Sequence, residues 1–243
     1  MSRLAQATAL ARLVARHPDA LAALARWRPF STTAFEMARA LRAQGLRPRL
    51  IVDGGANVGQ FARAVAETFP EARVVSFEPL PDVAARFRAA LGGLPRVRLV
   101  EAALGAEEGT LAFGRNAYSL ASSALPVLAG DRLVAPHAET VSVPVTTLDA
   151  ALAGEDIPPD TLLKLDLQGF ELEALRGAPA TLGRVGHVLL EVALRPSYAG
   201  EPTFEALLDA LRPHRFRFLR PVDVLRDRRG EIVQMDALFG RQA

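Results

Sequence analysis

From Leu50 onward the chain alternates short apolar runs with amphipathic stretches, and this rhythm restricts the possible folds more than any other feature. Leu50–Asp53 reads as a buried strand entering a glycine-rich turn, Gln60–Phe69 as a helix, and Arg73–Phe77 as a second strand. Asp82–Leu91 follows as a helix and Val97–Val100 as a third strand. Leu162–Asp166 and Val188–Glu191 are two more strands, with Glu171–Arg176 helical between them. Strands that are apolar along their whole length are buried on both faces, and strands joined through helices run parallel. The expected fold class is therefore α/β, a mostly parallel sheet with helices on both faces. Phe204–Leu211 reads as a further helix, and Arg215–Leu219 and Glu231–Leu238 as an antiparallel pair closing one edge of the sheet.

Two regions depart from the rhythm. Residues 1–48 read as a helical cap belonging to the same domain as residues 49–243. Leu4, Leu10, Leu13 and Val14 recur at helical spacing, then Leu21, Leu24 and Trp27 after Pro18, then Phe35, Met37 and Leu41. The apolar face suits packing on the sheet, and the interleaved Arg leave open a helix lying on a membrane surface. Leu111–Phe113 and Val141–Thr146 look like strands bracketing a polar excursion, 114–140, that carries Ser119, Ser122 and Ser123. Long excursions inside compact domains often act as lids or binding loops.

Composition removes several chemistries. There is no Cys, so disulfides, thiolate zinc sites, iron–sulfur clusters and Cys nucleophiles are excluded. The net charge of +2 argues against an electrostatic grip on nucleic acid. Of the 29 basic Lys and Arg side chains only Lys164 is a lysine, which accounts for a sequence pI near 9.6. No apolar run approaches the ~20 residues that span a bilayer, and the N-terminus lacks the order of a signal peptide. A soluble, cytoplasmic protein is expected.

The segment Asp53-Gly54-Gly55-Ala56-Asn57-Val58-Gly59 carries the chemistry. No frame supplies the Gly spacing of a dinucleotide fingerprint, which disfavours a dehydrogenase. The spacing present is acid-x-Gly-x-Asn-x-Gly. Gly permits a sharp turn and close approach of a ligand, and Asn57 can stand in for Gly because it tolerates the left-handed conformation. A helix starting near Gly59 would offer free N–H groups to a carboxylate, and Asp53 at the strand tip can meet an ammonium, directly or through water. Glu78 closes the next strand, nineteen residues after Gly59, where an acid grips a ribose hydroxyl pair in such folds.

With these pieces the sequence resembles the FkbM-type methyltransferases. The matching segments are 52–59, Phe77-Glu78-Pro79, Ala102-Ala103-Leu104-Gly105, Thr147-Leu148-Asp149, Lys164 to Glu171, Leu175-Arg176-Gly177-Ala178 and Glu191, in order over about residues 50 to 192. The resemblance implies a Rossmann-like class I methyltransferase fold and methyl transfer from S-adenosylmethionine, typically to a hydroxyl of a sugar, polyketide or other small molecule. It implies cofactor contacts from Asp53, Gly54, Gly55, Ala56, Asn57, Gly59, Glu78, Pro79, Ala102, Ala103 and Asp166. Ala102 and Ala103 stand where many related enzymes place an acid against the adenine amine, so backbone groups, Ser122 or Ser123 would substitute.

Asp166 ends the fourth parallel strand, at the edge where ligands sit in open α/β sheets, and is the candidate base or orienting group. Lys164 shares its strand face and reads either as a catalytic group or as a structural ion-pair partner. Glu191 could complete an acidic rim with Asp166. Such a rim could hold Mg²⁺ through oxygen ligands, but no Asp-rich triplet supports a metal. Glu171 would face the same cleft or begin the next helix. The family pattern usually has Glu where this chain has Gln168. His187 is the best placed of four scattered His for base chemistry, with a packed or surface role the plainer reading. The basic stretch 212–229 reads as a strand with Phe216 and Phe218 inward and Arg solvated, the alternative being a phosphorylated or nucleic-acid substrate. A small-molecule acceptor is expected. A methyltransferase acting on RNA or protein and a catalytically silent cofactor-binding module are the alternatives. Oligomeric state is not encoded in any pattern found.

Overall fold

The structure is a computed structural model that describes residues 10–11, 13–129 and 134–242. The predicted helical contribution of Leu4 and the tip of the polar excursion at 130–133 lie outside them. The N-terminal part holds α1 (Ala20–Arg26) and α2 (Thr32–Ala43). Next come β1 (Leu50–Gly54), α3 (Gln60–Thr68), β2 (Arg73–Phe77), α4 (Pro81–Leu91) and β3 (Val97–Val100). Three strands form a side sheet: β4 (Ala103–Leu104), β5 (Gly109–Arg115) and β6 (Glu139–Thr146). The chain continues with α5 (Leu148–Ala151), β7 (Leu162–Leu165), α6 (Glu171–Arg176), α7 (Pro179–Leu182), β8 (His187–Ala193), α8 (Phe204–Leu211), β9 (Phe216–Arg226) and β10 (Ile232–Arg241).

The main sheet has the order β3-β2-β1-β7-β8-β10-β9. Strands β1, β2, β3, β7 and β8 are parallel, and β10 pairs antiparallel with both β8 and β9, the edge closure expected from the sequence. The order reverses between β1 and β7, which opens a crevice at the carboxyl ends of these two strands.

Every residue of β1 and β7 is buried, as their unbroken apolar runs require. Successive side chains point to opposite faces. Leu50, Val52, Leu163 and Leu165 therefore meet Leu148, Leu175 and Leu211 on one face. Ile51, Val74 and Leu162 meet Phe61, Val65, Phe87 and Leu91 on the other. Ala34, Met37, Ala38 and Leu41 of α2 pack into this second layer, so the N-terminal helices are built onto the sheet through α2. In α1 the buried positions are Ala20 and Ala23, whereas Leu21 is 56% exposed, against the apolar face expected there. The four-residue helices α5 and α7 are too short to show a helical period in sequence. Strand β9 runs past Pro221 because it is an edge strand, where a missing N–H costs no ladder bond. Among the described residues no helix is long and apolar enough to cross a membrane.

Leu41 is fully buried between the cap and the sheet. Leu41→Ala is expected to lower stability by about 2–5 kcal/mol in urea unfolding. A loss well under 1 kcal/mol would mean that α2 does not share the sheet's core.

Candidate active site

The turn after β1 is held by its own backbone. The Gly55 and Ala56 N–H groups donate to the Phe77 carbonyl at 3.2 and 2.9 Å, which clamps the turn to the end of β2. Gly55, Asn57 and Gly59 all have positive φ, at 77°, 49° and 92°. Asn57 adopts the left-handed conformation foreseen for it, and its Oδ1 accepts the Val58 N–H at 2.8 Å. The two glycines are needed for a different reason from ligand approach. A Cβ on Gly55 would lie 1.9 Å from the Asp166 carbonyl oxygen, and one on Gly59 would lie 2.2 Å from Leu91 Cδ1. The turn is pressed between β7 and α4, and only Gly leaves room. Gly59 also lacks a side chain to cap α3, so the first-turn N–H groups of that helix have no side-chain acceptor.

Glu78 follows β2 directly and is 5% exposed. Its Oε2 accepts the Asn57 N–H at 3.0 Å and its Oε1 the Leu80 N–H at 2.9 Å. Each oxygen keeps acceptor capacity for a further donor. Burial pushes the carboxyl up to about 7. Glu78, Pro79, Leu80, Ala102, Ala103 and Phe113 line a slot closed by the Ser119–Ala121 turn of the polar excursion. The excursion therefore does cover a cavity: Ser119 Oγ donates to Asn57 Oδ1 at 3.2 Å. Ser122 also lines the slot, but Ser123 does not: its Oγ donates to the Gln168 carbonyl and accepts from Leu125 N, which removes it as an adenine contact. Gly55, Asn57 and Asp166 reach the slot wall, whereas Asp53, Gly54 and Gly59 form the layer behind it.

Behind that wall lies a buried ion cluster. Parallel register sets Asp53 of β1 beside Lys164 of β7. Lys164 Nζ lies 3.3 Å from Asp166 Oδ2 and 3.6 Å from Asp53 Oδ1, and 5.1 Å above the Phe61 ring. Burial alone would lower the ammonium, but Asp166 and Asp53 outweigh it and hold Lys164 well above its usual value. Burial likewise opposes ionisation of Asp166, and Lys164 together with the Gln168 amide overcomes it, so Asp166 stays below the usual carboxylate value. Burial pushes Asp53 up to about 6, only partly offset by Lys164. Asp53 Oδ1 makes no hydrogen bond of normal length, and the cation facing it is the Lys164 ammonium.

Gln168 bridges the rim. Its Nε2 donates to Asp166 Oδ1 at 2.9 Å and Glu191 Oε2 at 2.6 Å, and its Oε1 accepts from the Tyr198 hydroxyl at 3.0 Å. Glu191 lies within β8 rather than at its end, and also accepts from Gln234 Nε2. Burial, with Asp166, Glu171 and Asp236 nearby, raises it well above its usual value. Burial also pushes Asp236, its partner across β10, up to about 7. Among the described residues no group of three or more acidic or His side chains is arranged to hold a metal ion.

For three features the structure favours one of the two readings that the sequence left open. Glu171 begins α6 but does not face the cleft: it is 2% exposed, and its Oε1 accepts the Leu167 and Gly169 N–H groups to lock the turn after β7. His187 opens β8 at the amino end of the parallel strands, beside Leu162, on the far side of the sheet from the crevice. The basic stretch is a solvated edge: Phe216 is buried while Arg215, Arg217 and Arg220 are exposed. Sequence reasoning missed Tyr198, Gln234 and Asp236, which come from a loop and a closing strand that no motif marks. The departure at Gln168 was the one available signal for the rim.

The sequence profile described as methyltransferase FkbM domain matches residues 53–218. The chain belongs to the FkbM methyltransferase family. This FkbM protein is an S-adenosylmethionine-dependent methyltransferase with a class I, Rossmann-like fold. It is 28% identical over 171 residues to the 2-O-methyltransferase NoeI of Sinorhizobium fredii strain NGR234, covering 67% of this chain and 70% of that one. It is 27% identical over 194 residues to the methyltransferase sdnD of Sordaria araneosa, covering 65% and 71%. Its backbone resembles that of the magnesium protoporphyrin IX methyltransferase ChlM of Synechocystis PCC 6803 with a TM-score of 0.49 at 11% identity, covering 87% of this chain and 81% of that one.

Lys164→Met leaves Asp53 and Asp166 without their cation. It is expected to cost about 3–5 kcal/mol at pH 7.5 in urea unfolding. The penalty should shrink at pH 5, because a carboxyl raised in the folded state binds protons there and stability falls as pH rises through its value. Equal penalties at both pH values would contradict a charge origin.

Proposed function

We propose that this FkbM methyltransferase moves the methyl of S-adenosylmethionine to a hydroxyl oxygen of a small molecule, with Asp166 receiving the hydroxyl proton. The observation that carries this reading is the place of Asp166. It lines both the slot beside Glu78 and a second, wider cavity facing the N-terminal helices. A group at such a junction can touch a cofactor on one side and an acceptor on the other. The relative NoeI, a 2-O-methyltransferase by name, supports an oxygen acceptor.

The residues fit an adenosyl cofactor. Glu78 retains lone pairs for two ribose hydroxyls, and the slot between Pro79, Leu80, Ala102, Ala103 and Phe113 suits an adenine ring. Gly54, Gly55, Ala56, Asn57 and Gly59 shape the turn, and the uncapped start of α3 favours a carboxylate. Asp53 lies behind the wall with its Oδ1 facing Lys164, so it would favour the cofactor's ammonium through water. When bound, the cofactor supplies an electrophilic methyl on a sulfonium that leaves as a thioether. Asp166 is held ionised by Lys164, so it orients the acceptor hydroxyl and takes its proton as the new C–O bond forms and the C–S bond breaks. Lys164 and Glu191 act through Asp166, one as counter-ion and one by sharing the Gln168 amide. No step is assigned to Mg²⁺.

Glu78→Ala should weaken S-adenosylhomocysteine binding at least tenfold by calorimetry. Asp166→Asn should bind it within threefold of wild type yet lower methyl transfer about 10²-fold or more. Labelled methyl should be recovered as a base-stable ether in small molecules. Recovery only in RNA or protein would overturn the acceptor class.

A further inference from the structure

We infer that the acceptor is uncharged and carries an apolar body, which docks against a wall built by the N-terminal helices. The inference rests on the proposed role of Asp166 and names the class of molecule that the second cavity takes. That cavity has a volume of about 620 Å³, in the range of small-molecule sites. It is continuous with the cofactor slot through Gly55, Asn57, Leu120 and Asp166, which line both.

Much of its lining is apolar. Leu24 comes from α1, Met37 from α2, and Phe30 from the segment joining those helices, with Phe61 of α3 opposite. Tyr118 and Leu120 stand at the mouth and are 66% and 39% exposed, which is unusual for large apolar side chains in a chain with few others exposed. An exposed apolar rim around a concave site is the signature of a binding surface.

The charge pattern is equally selective. The chain is rich in Arg, yet among the described residues none lines this cavity. The charged residues among its described lining are Lys164 and Asp166. Lys164 is already committed to Asp166 and Asp53, so an anionic acceptor would meet the Asp166 carboxylate with no free cation to answer it. Ser31, Thr32 and Thr33 give the cavity a neutral polar edge at the start of α2. Ser31 already accepts the Ala34 N–H, which caps that helix end. The edge therefore suits hydroxyls rather than a phosphate. Leu24, Phe30 and Met37 all precede residue 53, where the family match begins, so this part of the wall lies outside the matched methyltransferase domain.

The test is calorimetry on the full chain saturated with S-adenosylhomocysteine, with three neutral or anionic probes. Octyl glucoside below its micelle concentration should bind at least tenfold more tightly than methyl glucoside, and glucose 6-phosphate should bind no better than methyl glucoside. Leu24→Glu and Tyr118→Asp, both at partly or well exposed positions, should each reduce octyl glucoside affinity at least tenfold while leaving S-adenosylhomocysteine affinity within twofold. Tightest binding of glucose 6-phosphate, no preference for the octyl chain, or indifference to both substitutions would overturn the inference. Loss of S-adenosylhomocysteine binding by the wild-type chain would instead sink the cofactor reading on which it rests.

Discussion

A single buried ammonium organises the centre of this protein. Lys164 stands between Asp53 and Asp166, one at the tip of β1 and the other just past β7, where the strand order of the sheet reverses. Without it two carboxylates would be buried side by side at the crevice, and both would be driven towards the neutral form. With it, Asp166 stays ionised and Asp53, still raised by burial, is drawn part of the way back towards the charged form. The ammonium is itself too well paired to attract an anion. This charge pattern is the basis for the proposed neutral acceptor.

The backbone around this cluster is equally constrained. Gly55 is pressed on the Asp166 carbonyl, and the Phe77 carbonyl ties the turn to β2, so Glu78, Asn57 and Asp166 are carried by one rigid junction of three strands. Small movements of β7 would be felt at once in the turn after β1. The side sheet adds a second layer: Ala103 and Val143 pack on Val58, Leu80 and Val83, which fixes the far wall of the slot. Sites mounted on packed elements in this way hold geometry better than sites on free loops.

Much of this was legible in the sequence. Arg73–Phe77, Val97–Val100, Glu171–Arg176 and Phe204–Leu211 occupy the ranges that hydrophobic pattern alone assigns them, because buried strands and amphipathic helices leave a periodic trace. The Asp53 to Gly59 spacing and Glu78 are visible because a tight turn and a carboxylate that accepts the Asn57 N–H from the end of the next strand demand particular residue types at short range. The rim was less visible. Gln168, with a φ of 53°, joins the nearby Asp166 to Glu191 and Tyr198, which lie far along the chain, and no local pattern encodes a hydrogen-bond bridge of that kind. The side sheet was read only as two strands, since the pairing of two-residue β4 with β6 leaves no period to detect. Leu21 shows the opposite failure, an apolar residue at the right spacing that faces solvent.

If the slot holds the cofactor as proposed, Asp53 and Glu78, raised by burial to about 6 and about 7, are partly protonated before binding and ionise when the cofactor's ammonium and ribose hydroxyls arrive. Calorimetry of S-adenosylhomocysteine binding at pH 6.5, repeated in buffers of different ionisation enthalpy, counts the protons exchanged. Release of about one proton per cofactor is predicted from carboxyls poised near 6 and 7. Binding with no proton exchange, or with proton uptake, would contradict it.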